Sequence, residues 1–120
     1  MSTDVTRVAL SGINSGGGLI NIAATSTVGT LIHTGVDFTG SSRWDEVWLF
    51  ASNKHSASVT LTIEIDVANT STSYFKVSVP ADDGLYVVLP GISVNSSKII
   101  TAFAATGDVI NIGGYVEQHV

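Results

Sequence analysis

The chain has 120 residues, a formal net charge of −5, no cysteine, and only 12% Asp, Glu, Lys and Arg. That length suits a single core, and the lack of cysteine excludes disulfides, thiolate metal sites and a cysteine nucleophile. The basic residues Arg7, Arg43, Lys54, Lys76 and Lys98 are scattered, so the clustered positive footprint needed for nucleic acid or an acidic membrane surface is missing.

The opening MSTDVTRVALSG has no basic segment followed by an apolar run, so no secretory leader is expected. No apolar run approaches the roughly 20 residues of a membrane helix. A first strand is predicted near residues 5–10, followed by the Gly-rich SGINSGGG. This pattern divides the chain into an N-terminal arm with a Gly-rich hinge, residues 1–18, and one domain, residues 19–120. Strands near 19–23 and 27–34 follow, then the loop signal GVDFTGSSR.

The next strand, near 45–51, contains Val47-Trp48-Leu49-Phe50, which is apolar at every position. Such a strand needs cover on both faces. Its four residues are therefore candidates for core or interface, and alternation alone leaves open which pair points inward. Asp45 and Glu46 mark its solvated entrance. After the turn SNKHS, the strand near 57–66 sets Val59, Leu61, Ile63 and Ile65 against Thr60, Thr62, Glu64 and Asp66, which predicts one wet face.

Strands near 73–79 and 84–89 flank PADDG, with Pro80 and Pro90 assigned to strand ends, where a missing N–H does least harm. PGISVNSS leads to a strand near 97–104 and ATGD to one near 108–118. In the last, Gly113-Gly114 marks a bulge or a close backbone approach. No stretch of a dozen residues has helical spacing. The fold class is all-β, an antiparallel β-sandwich or small jelly roll.

Sites for chemistry are hard to find. SGINSGGG lacks the Gly-Lys-Ser/Thr ending of a phosphate cradle. Asp82 and Asp83, next to Gly84, fall short of the six to eight oxygens of a calcium shell and read as a turn. His33, His55 and His119 are far apart, none at an i, i+2 spacing, and are expected at exposed loops or edges. With so many serines, a Ser, His, Asp trio carries no information. The expectation is no catalytic, cofactor or metal site, and no enzymatic activity.

The aromatic residues Trp44, Trp48, Phe50, Tyr74, Phe75, Tyr86 and Tyr115 allow a second function class, a lectin-like module that stacks sugar rings. Inside an apolar run, Trp48 and Phe50 are expected in the core instead. The sequons at Asn69 and Asn95 carry little weight without a leader.

The shortage of charge points to surface covered by other protein, because interface cores are depleted in Lys and Glu. VWLFASN, the alternating VTLTIEID, VSVPADDGLYVVLPG and ITAFAATGDVINIGGYV together resemble small structural proteins of tailed bacteriophages, of the type that decorates or cements capsids. The likeness covers residues 45–118 and is one of texture and order. It implies an all-β protein, often trimeric, on the virion capsid surface, where it bridges capsomers and has the major capsid protein as partner. Residues 1–18 would then reach across to the capsid or the next subunit. A tail or neck component has the same texture, and no binding residue is transferred from the family.

Overall fold

The computed structural model describes residues 5–13, 18–35, 44–66, 74–81, 84–94 and 98–119. Each predicted strand is present: β1 (Val5–Val8), β2 (Ile20–Ile22), β3 (Thr30–Thr34), β4 (Trp44–Asn53), β5 (Val59–Ile65), β6 (Tyr74–Val79), β7 (Tyr86–Val94), β8 (Ile99–Ala104) and β9 (Ile110–His119). Among the described residues there is no helix.

The strands form two packed antiparallel sheets. One has the order β1-β9-β4-β7, with β2 also paired to β9; the other has the order β3-β8-β5-β6. Setting β1 aside, β2-β9-β4-β7 faces β3-β8-β5-β6. Successive strands alternate between sheets except at β5 and β6, which is the strand order of an eight-stranded jelly roll. β1 adds an extra strand to the first sheet.

The interior is aliphatic. Val47, Leu49, Ile110, Ile112, Val116 and Leu89 from the first sheet meet Ile32, Leu61, Ile63, Val79, Ile100 and Ala102 from the second, all fully buried. Each such Val, Leu or Ile contributes roughly 1.5–3 kcal/mol when water is excluded from it. The core therefore lies between the sheets, and its apolar members follow period-two alternation along β2, β4, β5, β8 and β9; in β7 the adjacent Val88 and Leu89 are both core, where the register against β4 shifts.

β4 decides the ambiguity of the apolar run. Its burial alternates along the whole strand, with Asp45, Val47, Leu49, Ala51 and Asn53 inward and Trp44, Glu46, Trp48, Phe50 and Ser52 on the outer face. Val47 and Leu49 are core. Trp48 and Phe50, expected in the core, are half-buried on the outside. The two polar inward residues have partners: Asn53 Nδ2 donates to the carbonyls of Ala57 (2.9 Å) and Val79 (3.0 Å), and Asp45 meets His33. Asp45 is thus interior rather than a solvated entrance.

Other expectations change as well. β7 runs through Pro90 instead of ending there, and tolerates it as an edge strand with two register shifts against β4. Gly91, at φ 78°, takes up one shift and lies under the Trp48 indole, where a Cβ would come 3.0 Å from the ring. The outward side of β5 is not wet throughout: Thr62 and Glu64 are buried, and the hydroxyl of Thr27, from the β2–β3 connection, lies 3.4 Å from both Glu64 oxygens. Residues 5–13, assigned to an arm, are built into the sandwich. β1 pairs with β9, and Leu10 is core. Residues 14–17 of the predicted hinge lie outside the described residues.

Gly113 and Gly114 mark a close approach. The register of β9 against β4 runs unbroken through both, so there is no bulge on that side. A Cβ on Gly114 would overlap the Trp48 carbonyl oxygen, and its φ is +151°.

Candidate functional site

The outer face of the first sheet can be read in rows across the strands, because residues paired in register share a face. Val5, His119 and Trp44 form the first row, and Arg7, Glu117, Glu46 and Ser93 the second. Tyr115, Trp48 and Pro90 form the third, Gly113, Phe50 and Val87 the fourth, and Asn21, Asn111 and Ser52 the fifth. The result is an apolar, largely aromatic belt between a polar row and an acid-rich end.

Within the belt, the Trp48 and Tyr115 rings lie 6.4 Å apart and nearly parallel, with Phe50 tilted against Tyr115 at 6.4 Å. The Arg7 guanidinium sits 5.0 Å above the Tyr115 ring. Leu19 and Val87 add exposed aliphatic surface, at 57% and 53%. Such a face offers apolar area and few charges to desolvate, which suits a protein partner or the flat face of a sugar ring.

At the acid-rich end, Trp48 Nε1–H donates to Glu46 Oε2 at 2.7 Å, and Arg7 donates through Nε and Nη2 to Glu117 Oε1, each at 3.2 Å. His119 stacks on Trp44 with centroids 4.0 Å apart and planes 1° from parallel. Its Nε2 lies 3.5 Å from Glu46 Oε1. Glu46, Glu117 and His119 each offer a ligand atom, all within 4.8 Å of one another. No pair of histidines marks this group in the sequence; its signal is Glu117 and His119, two apart on one strand face.

A second constellation lies inside. His33 Nε2 is 2.8 Å from Asp45 Oδ2, both side chains being buried. His33 Nδ1 accepts the Ser11 backbone N–H at 3.1 Å, which places the ring proton on Nε2, donating to Asp45. Ser11 Oγ is 3.2 Å from Nδ1 and accepts the Thr34 N–H at 2.6 Å. A Ser, His, Asp trio therefore assembles. In it the lone pair that a general base would use already accepts the backbone N–H of Ser11. Its evident work is to fasten the segment after β1 to both sheets.

His33 becomes a buried residue because of a bulge. The β3–β8 register shifts between Leu31 and His33, so Ile32 and His33 are both buried despite being adjacent. Of the three histidines, His55 alone lies in a loop, where its Nδ1 accepts the Ala57 N–H at 3.1 Å. Tyr74 is exposed, Phe75 and Tyr86 pack on the core, and Asp82, Asp83 and the sequon residues Asn69 and Asn95 lie outside the described residues.

No protein-family model, curated protein or solved structure matches the chain.

Proposed function

We propose that the chain is a non-enzymatic virion structural protein of a tailed phage, one that decorates or cements the capsid as a symmetric oligomer, with a trimer the expected assembly. The observation that carries this reading is the outer aromatic belt, where Tyr115, Trp48, Phe50, Pro90 and Val87 form continuous apolar surface on a chain with very little charge elsewhere to keep it apart from its neighbours. Contiguous apolar area of this kind marks an interaction site on a folded protein. Jelly rolls serve in capsids and in lectins alike.

The test is the native mass of the purified chain across a concentration series, followed by binding to purified capsids. A mass near three times 12.4 kDa, reduced by Val87→Asp without loss of strand content, is the expected result. A monomer that ignores capsids would remove the reading; binding to tails or necks instead would move its position on the particle.

One observation favours a lectin-like module as the second reading. Trp48 lies along the sheet over Gly91, as a sugar-stacking platform would. A glycan panel that changes tryptophan fluorescence in the wild type and not in Trp48→Ala would establish it.

A further inference from the structure

We propose that Glu46, Glu117 and His119 form a site for one divalent transition-metal ion of the zinc class. Glu46 and Glu117 stand directly opposite each other on adjacent antiparallel strands, an arrangement in which like charges repel. Arg7 relieves part of this from the Glu117 side. Glu46 has a neutral indole donor, and its free oxygen faces an imidazole.

The His119 side chain is 28% exposed, but its Nε2 is shut off from solvent and makes no hydrogen bond. It points toward Glu46 Oε1 across 3.5 Å, too long for a good hydrogen bond. Two ligands each about 2.1 Å from a tetrahedral ion are separated by about 3.4 Å. The spacing is that of two atoms sharing a metal, and the Glu117 carboxylate offers a third ligand atom within 4.8 Å of both.

The surroundings also hold the ligands as second-sphere groups do in metal sites. The Trp48 N–H fixes Oε2 of Glu46, which leaves Oε1 turned to the site. Trp44 fixes the plane of the imidazole, and Arg7 fixes one oxygen of Glu117. One nitrogen and two carboxylates suit a borderline ion such as Zn2+ or Co2+; calcium would need six to eight oxygens. A bound ion would clamp the ends of β4 and β9 together on the outer face. This inference stands whether or not that face docks on a capsid.

Both tryptophans of the chain touch the cluster, so a paramagnetic probe reports on it directly. Untagged full-length protein is titrated with Co2+ while tryptophan emission and visible absorption are followed. The expected result is saturable quenching at one equivalent, with d–d absorption, displaced by Zn2+. His119→Ala and Glu46→Gln should each weaken binding at least tenfold, while His55→Ala binds as the wild type does. Glu46→Gln keeps an acceptor for the Trp48 N–H, so its fold, checked by circular dichroism, is preserved if His119→Ala proves unstable. No saturable quenching in the wild type, or equal binding by Glu46→Gln, would overturn the site.

Discussion

His33 Nε2 and Asp45 Oδ2 meet at 2.8 Å in the interior of the sandwich, joining β3 of one sheet to β4 of the other. The same imidazole receives the Ser11 N–H on its other nitrogen, so one side chain links three parts of the chain. Removing one partner of a buried pair strands the other in a medium that solvates it poorly. Asp45→Ala leaves the neutral His33 Nε2–H without its acceptor and should therefore lower the unfolding free energy by about 1–3 kcal/mol, whereas a double change of His33 and Asp45 to leucine should recover much of the loss. Urea denaturation checks both. Equal destabilisation by the single and double variants would mean that the pair is not the source of the effect.

Ser11 tests the attachment of the N-terminal segment. Its Oγ accepts the Thr34 N–H at 2.6 Å, so Ser11→Ala should cost about 1–2 kcal/mol and speed hydrogen exchange at the Thr34 amide. Because Leu10 is core, deletion of residues 1–18 should destabilise the body as well as remove whatever contacts the segment makes outside it. A truncated chain that melts with the wild type would contradict this.

The two adjacent glycines should respond unequally. Gly114→Ala sets a Cβ against the Trp48 carbonyl at positive φ and should cost about 2 kcal/mol or more. Gly113→Ala meets only the tip of Leu19, at 2.6 Å, and a side-chain rotation relieves it. Thermal melts of the two variants should separate clearly, with Gly114→Ala the lower.

Neighbouring residues of β4 should separate stability from association. Leu49→Ala removes a fully buried side chain and should cost about 2–5 kcal/mol. Trp48→Ala should cost less in denaturation yet reduce native mass or partner binding, since its ring lies on the outer face. A Trp48→Ala variant with unchanged mass, capsid binding and glycan response would take Trp48 out of any interface.

Where the backbone alternates regularly, the residues reveal the architecture. The strands, the turns between them and the all-β class follow from period-two hydrophobicity and from Gly, Asx and Pro punctuation, and the structure has each strand in its expected place. Two kinds of feature escape such reading. A bulge changes the phase of alternation, which is how His33 comes to be buried beside Ile32. A run such as Val47 to Phe50 fits either phase, and only the partners on β9 and β7 choose between them.

By itself, then, the sequence determined that this chain pairs strands around an aliphatic core, because alternation and turn chemistry are local properties of the backbone. The tertiary structure alone decided that the tryptophans lie outside, that Ser11, His33 and Asp45 converge within, and that Glu46, Glu117 and His119 share one corner. Those meetings depend on which strands become neighbours and in what register. Pairing across more than seventy residues, as between Glu46 and Glu117, leaves no spacing along the chain to read.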